Sequence, residues 1–436
     1  MVYADRVQTP VAIPSAPAAG PLGLLGADGR RLFATRMARL FAYGFLAVVL
    51  VLYLAAAGLS EARIGVLLTL TLLGDTAVSL WLTTSADRFG RRRTLVAGAV
   101  LMLLAGVVFA LTGNFLLLLA AATIGVISPS GNEVGPFLAV EQAALTEVVP
   151  AGDRTRVFAW YGLVGSFATA AGSLAGGVAS QALQGAGVAP LASYRAVVIG
   201  YAAFGALLAT LFGGLSRHVE APASAAERRG RFGLNRSRGV VARLAGLFSL
   251  DAFAGGFVVQ SLVAYWFHRR FGVAPAALGG IFFGANLLAG VSALAAARVA
   301  RRIGLVNTMV VTHLPSNVLL LLVPLMPTMP LAVAVLLLRF SISQMDVPTR
   351  QSYTMAVVSP DERSAAAGVT GVARTTGAAL APALAAPLLA STALMGVPFF
   401  LAGGLKIVYD LALWRSFRAL RPPEEQPEPG PGAASR

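Results

Sequence analysis

Long apolar runs alternate with short polar breaks from about residue 33 to about residue 416. Each run approaches the ~20 residues that an α-helix needs to cross ~30 Å of hydrocarbon. Twelve can be drawn, at 33–57, 63–86, 94–112, 115–146, 157–182, 195–215, 245–267, 275–297, 305–325, 331–357, 365–390 and 397–416. They are called spans one to twelve below, and several contain Gly or Pro. Lipid offers the backbone no hydrogen-bond partners, so spans of this composition are expected to be helices. The period-two alternation of a transmembrane barrel strand is absent. The pattern therefore predicts an all-α integral membrane protein with twelve transmembrane helices.

Composition supports the same class. Hydrophobic residues make up 57% of the chain and charged ones only 12%, against about 25% charged in soluble domains. The net charge of +15 is concentrated in alternate loops. Arg88, Arg91, Arg92 and Arg93 follow span two, and Arg154 and Arg156 follow span four. Further arginines run from Arg217 to Arg243 after span six, from Arg298 to Arg302 after span eight, and from Arg415 to Arg421 after span twelve. The odd-numbered exits carry only Arg63, Arg195, Arg269 and Arg270. The positive-inside rule then places the even-numbered exits and both termini in the cytoplasm, with the chain in the cytoplasmic cell membrane. These bases flank lipid-facing spans, which excludes nucleic acid as a partner. With no cysteine, no disulfide or thiolate site is possible. Residues 1–32 and 417–436, rich in Pro and small residues, read as flexible cytoplasmic tails.

The chain also repeats itself. A shift of 209 aligns Gln142 with Gln351, Asp153 with Glu362, Arg154 with Arg363 and Gly162 with Gly371. A shift of about 212 aligns Gly44-Phe45 with Gly256-Phe257, and Tyr53 with Tyr265. Two six-span bundles are expected, at 33–216 and 245–416, joined by a basic linker at 217–244. Six spans return the chain to its starting side, so the axis relating the halves runs along the membrane normal.

Between spans two and three lies Ala86-Asp87-Arg88-Phe89-Gly90-Arg91-Arg92-Arg93, a charged hairpin with a glycine turn. It resembles the loop between the second and third helices of major facilitator superfamily transporters at Asp87, Arg88, Gly90, Arg91 and Arg92, with Thr83 where that family often has glycine. Together with the twelve spans, the repeat and the charged loops after spans four and ten, the resemblance covers about 33–416. It implies two bundles rocking around a central site, alternating access and a monomeric carrier. Asp87 and the arginines after it would stabilise the outward-facing state by binding the other half, at the cytoplasmic end of span eleven.

Several residues within the spans are candidates for chemistry. Span five carries Gly172, Gly176 and Gly177, and small residues four apart allow a second backbone to approach. The segment resembles the glycine-rich fifth span of many exporters in the family, departing at Ala168 and at Ser173, where glycine and proline are usual. A charge at bilayer depth is costly and normally faces a partner or a water-filled cavity. Asp75 lies mid-span two, and Glu133 lies in Ser128-Pro129-Ser130-Gly131-Asn132-Glu133-Val134-Gly135-Pro136 of span four. Two prolines and two glycines predict a bent or unwound helix there, suited to ion or substrate binding. Glu133 is the first candidate for a protonatable acid; the alternative is a structural acid bonded to freed backbone N–H groups. Asp75, Asn132, Gln260, Asn286 and Asp346 complete the candidate substrate and coupling set.

The 209 shift aligns Glu141 with Arg350. This suggests a cytoplasmic gate in which Glu141 pairs with Arg350 or Arg374 across the halves in the outward-facing state. The alternative is a local pair between Asp346 and Arg350, four residues apart on one helix face. Lys406 and Asp410, also four apart, are expected to neutralise each other near the cytoplasmic face, with Lys406 snorkelling outward. Asp251 is placed at the interface, and His313 is given no role.

No catalytic set, phosphate-binding glycine loop with lysine, or His-Glu-x-x-His helix is present, so neither an enzyme, a direct ATP drive nor a cofactor is expected. The expectation is a secondary active transporter of a small organic solute, working as a proton-coupled exporter. One alternative is a proton-coupled importer of a polar or anionic metabolite, with Arg350 and Arg374 as ligands. Another is a membrane receptor or sensor that binds without transporting.

Overall fold

The computed structural model describes residues 25–150, 153–220, 236–359, 362–418 and 420. Most of both tails, residues 221–235 of the linker, and the side chain of Asp87 lie outside that description.

Twelve spans are present among the described residues. Eight are single helices: Glu61–Phe89, Arg91–Leu111, Arg154–Gly185, Pro190–Gly213, Pro275–Ile303, Leu305–Leu322, Arg363–Leu388 and Val397–Phe417, which are spans two, three, five, six, eight, nine, eleven and twelve. The other four are each broken in two. Span one is Ala27–Ala47 and Leu50–Ala56, bent by 43°. Span four is Phe115–Ile124 and Phe137–Val148, span seven is Arg238–Gly256 and Gln260–Phe271, and span ten is Met329–Phe340 and Asp346–Ala356. The broken spans are thus the first and fourth of each half, as the repeat requires. Span four has the longest break, where Gly131 (φ +70°) and Gly135 (φ +81°) adopt backbone angles that L side chains rarely take.

Most helices outrun their apolar stretches. Span seven begins at Arg238 and span eight ends at Ile303, beyond Arg298, Arg301 and Arg302. Hydropathy marks the part of a helix that lies in hydrocarbon, whereas the helix continues into the polar interface with its charged residues. The end of the basic linker is accordingly the first turns of span seven.

Small residues set how the spans meet. Within the first half, span one lies along span five, and a Cβ on Gly172 or Gly176 would collide with the carbonyls of Phe41 and Phe45. Within the second half, span seven lies along span eleven, where Gly256 and Gly377 face the carbonyls of Ala378 and Ser249. The halves meet through span five on span eight and span two on span eleven. There Gly177 meets Pro275 and Gly279, and Gly65 meets Pro382. Gly177 therefore lies in the contact between the halves, while Gly172 and Gly176 close up one half.

Hydrogen bonds also join the halves, at mid-span and toward the face opposite the arginine-rich loops. Tyr265 donates to Glu61 Oε1 at 2.9 Å, and the Ala383 N–H to Thr69 Oγ1 at 3.0 Å. At mid-span the Ser261 N–H, just past the break in span seven, donates to the Pro129 carbonyl in the break of span four at 3.1 Å.

Candidate functional site

Each half holds a buried ionic core where its first and fourth spans meet. In the first half the fully buried Arg39 bridges two acids, with Nη1 2.8 Å from Glu133 Oε2 and Nη2 2.5 Å from Glu141 Oε2. Arg36 also binds Glu133, and its Nε donates to the Tyr161 carbonyl at 2.6 Å. Glu141 accepts further hydrogen bonds from Thr35 Oγ1 at 3.0 Å and from the Tyr161 hydroxyl. Glu133 is the more open acid: 21% of its side chain is accessible, whereas Glu141 has none. Its partners are the guanidinium groups of span one. Asp75 performs the backbone-bonding role that was the alternative for Glu133. It accepts from the Gly135 N–H at 2.6 Å and from Ser79, tying span two to the end of the break in span four.

In the second half Arg350 Nη1 lies 3.2 Å from Asp251 Oδ2 and 3.0 Å from Asp346 Oδ2. Lys406 Nζ lies 2.5 Å from Asp251 Oδ1. Asp410 instead meets His313 Nδ1 at 2.8 Å and accepts from Asn317 Nδ2 at 2.8 Å. Lys406 and Asp410 therefore do not neutralise each other, and Lys406 is buried rather than snorkelling. Spacing of four along a helix marks neighbours, but another helix, span seven, here supplies a nearer partner. Asp251 is buried at the centre of this core, not at the interface, and His313 is one of its members.

Glu141 and Arg350 do not meet in this conformation; each is engaged inside its own half. The local Asp346–Arg350 contact is formed. Arg374, part-buried on span eleven, makes no hydrogen bond or ion pair with any described residue. A polar bridge crosses between the halves at mid-span. Gln260 Nε2 donates to Ser173 Oγ at 3.2 Å, and Asn286 Nδ2 donates to Gln260 Oε1 at 3.2 Å and to Ser173 at 3.4 Å. Gly131 lies beside Gln260, and the side chain of Asn132 is exposed in the same break.

Sequence reasoning missed Arg36, Arg39, Tyr161 and the bridging role of Ser173. A signal for Arg39 was available: the 212 shift that aligns Gly44 with Gly256 sets Arg39 on Asp251.

Comparison with known proteins places this architecture. Residues 32–382 match the Major Facilitator Superfamily. The chain belongs to that superfamily. It is 32% identical over 417 residues to an uncharacterized membrane protein of Saccharomyces cerevisiae, covering 88% of this chain and 93% of that one. Among solved superfamily structures, it is similar to a bacterial homolog of the human lysosomal transporter Spinster (TM-score 0.71, 15% identity, 89% of this chain and 96% of that one). It is also similar to the nucleoside transporter NupG (TM-score 0.67, 13% identity, 90% and 100%). A D-xylose-proton symporter is comparable (TM-score 0.68, 17% identity, 89% and 97%). At these identities the likeness speaks for the fold.

The superfamily loop after span two is braced within its own half. The Arg91 and Arg92 N–H groups donate to the Glu220 carboxylate at 2.6 and 3.2 Å. Arg91 Nη1 reaches the Ala143 and Val219 carbonyls and Glu147. Gly90 turns at φ +96° beside Glu220, and Arg88 is exposed. The expected role of Asp87 falls outside the described side chains. Glu362 repeats the device in the second half, accepting from the Arg236 and Ser237 N–H groups at 2.9 and 2.8 Å just before span seven.

Proposed function

We propose that this superfamily transporter couples movement of a small polar organic solute to movement of a proton, and that Glu133 carries the proton. The supporting observation is Glu133 itself, a part-accessible carboxylate in the unwound centre of span four, clamped by Arg36 and Arg39. Protonating it removes the negative charge that holds both guanidinium groups. Arg39 then keeps only Glu141, and spans one and four lose one of the ties between them. A proton at Glu133 can in this way bias the packing of two cavity-side spans, which is what a two-state carrier requires.

The two arginines also bear on the solute. A cationic compound approaching Glu133 meets two positive charges within hydrogen-bonding distance of it. Neutral and anionic polar solutes suffer no such repulsion, and the amide bridge of Gln260 and Asn286 gives them donors and acceptors. This favours symport of solute with proton over exchange of a cationic drug for a proton. The arginine-rich face is taken as cytoplasmic by the positive-inside rule. The clasp between Tyr265 and Glu61 then closes the outer side, and the carrier is in an inward-facing arrangement. A second reading, efflux of an amphipathic compound, is favoured by one observation. An apolar cleft of about 490 Å³ lies between spans one, five and six, lined by Met37, Phe41, Phe167 and Phe204 among others.

Proteoliposomes containing a pH dye decide between these readings. Polar neutral and anionic solutes added outside should acidify the lumen, and Glu133→Gln should abolish that proton movement while leaving solute exchange. Proton flux unchanged in Glu133→Gln overturns the role of Glu133. Alkalinisation evoked by apolar amines alone transfers the assignment to efflux.

A further inference from the structure

The buried charges of the two halves do not balance in the same way. Around the first-half core stand three acids, Asp75, Glu133 and Glu141, and two bases, Arg36 and Arg39. Around the second-half core stand three acids, Asp251, Asp346 and Asp410, and four bases, Arg339, Arg350, Arg374 and Lys406, with His313 in addition. Arg350 and Lys406 have their carboxylates. Arg339 and Arg374 have none among the described residues.

The placement of these two arginines is informative. Arg339 ends the first segment of span ten, at the break. Its helix face is that of Ala332, Leu336 and Ser343, which are buried, while Leu331 and Leu338 on the opposite face are exposed. Its Nε is buried without an acceptor, and its guanidinium lies over the Phe340 ring at 5.0 Å. Arg374 stands on the face of span eleven shared with Thr370 and Gly377, the latter against Ser249 of span seven. Both arginines lie in the electrostatic neighbourhood of Asp251 and Asp346. A guanidinium at bilayer depth is costly unless it is paired or opens onto a water-filled cavity. Its planar fork of donors matches a carboxylate or phosphate.

We infer that Arg339 and Arg374 form the subsite for an oxyanion group of the transported solute, a carboxylate or a phosphate monoester. The inference rests on the transporter reading above and sharpens it. One negative charge delivered to the second half neutralises its excess base, and one proton delivered to the first half neutralises its excess acid. The two halves together hold six acids and six bases in these cores. Proton and anion can therefore enter as a pair without leaving net charge in the membrane interior.

The test uses the full chain purified in detergent, with thermal unfolding followed by tryptophan fluorescence. Lactate, benzoate, succinate and glycerol 3-phosphate form the organic arm; inorganic phosphate and chloride form the free-ion arm. At least one organic anion should stabilise the wild type saturably, more tightly than either inorganic ion. Arg374→Gln and Arg339→Gln should each weaken that binding by about tenfold or more, the equivalent of ~1.4 kcal/mol. Arg374→Lys, which keeps the charge but not the fork, should fall between and covers the case of a poorly folded Gln variant. Stabilisation by phosphate or chloride with no organic anion binding more tightly makes this a free-ion site and overturns the assignment. So does a wild type indifferent to every anion at high concentration, or binding that survives both arginine substitutions. Anion binding that is intact in a protein moving no protons would sink the coupling reading and leave this one standing.

Discussion

Arg39 and Glu141 tie span one to span four in the first half, and Asp251 and Arg350 tie span seven to span ten in the second. The repeat places Arg39 on Asp251 and Glu141 on Arg350. The same two positions thus carry an ion pair in both halves, with the charges exchanged. What the two halves share is the need for a buried tie between their first and fourth spans; the direction of the dipole is free to differ. That freedom lets one half present excess acid and the other excess base, around a common axis. The halves also differ in redundancy. Glu141 meets a single cationic group, Arg39, whereas Asp251 has Arg350 on one oxygen and Lys406 on the other.

This difference carries the largest predicted effect. Removing one partner of a buried pair costs about 3–5 kcal/mol, because the other charge is left uncompensated. Arg39→Leu leaves Glu141 buried without a cation and Glu133 with Arg36 alone. Arg350→Leu leaves Asp251 with Lys406, so the loss falls mainly on Asp346. Arg39→Leu should therefore lower the unfolding temperature of the purified protein well below that of Arg350→Leu. Equal losses would mean that the second half gains nothing from its extra base.

A smaller effect tests whether the sign of the tie is free. The pair Arg39→Asp with Glu141→Arg gives the first half the polarity of the second. Each single substitution should be strongly destabilising, since it sets like charges together. The double variant should recover part of the loss, by about 1–3 kcal/mol of coupling, measured as a double-mutant cycle on unfolding. Recovery stays incomplete because Glu133 remains placed for a base at position 39 and the Tyr161 hydroxyl for an acid at position 141. No recovery at all would show that the polarity of each half is fixed by its surroundings.

Much of this architecture was legible beforehand, and the reasons are local. Twelve apolar runs and a two-half repeat are properties of spacing and survive folding unchanged. The break in span four was legible because Pro129 and Pro136 each lack an N–H and Gly131 and Gly135 permit positive φ. The breaks in spans one, seven and ten carry weaker marks, and only their symmetry explains them as a set. Ion-pair partners were far less legible. Arginine and lysine side chains reach several helices, and the choice among Glu133, Glu141 and Arg350 for one another depends on how those helices pack. Lys406 illustrates this: its neighbour in sequence is Asp410, but the nearer carboxylate lies 155 residues away, on Asp251. Ser173 looked like a departure from an exporter pattern; in the fold its hydroxyl accepts from Gln260 and Asn286 of the other half.

The smallest predicted effect compares two tyrosines that the repeat superposes. The Tyr53 hydroxyl donates to the Phe109 carbonyl, inside the first half. The Tyr265 hydroxyl donates to Glu61 Oε1 at 2.9 Å, from the second half to the first. A net hydrogen bond contributes about 0.5–1.5 kcal/mol, somewhat more when the acceptor is charged. Tyr53→Phe removes a bond present in both conformations of a rocking carrier, so it should lower stability without moving the balance between them. Tyr265→Phe removes a bond available only while the face opposite the arginine-rich loops is closed, so it should shift the carrier toward opening there by about fivefold, the equivalent of ~1 kcal/mol. Because the chain has no cysteine, a single cysteine introduced near Ala56 reports that opening through its rate of alkylation. A rate raised by Tyr265→Phe and unchanged by Tyr53→Phe separates the clasp between the halves from the bonding within one. Equal rates in the two variants would make the Glu61 contact incidental and return the closing of that face to the small-residue contacts of spans two and eleven.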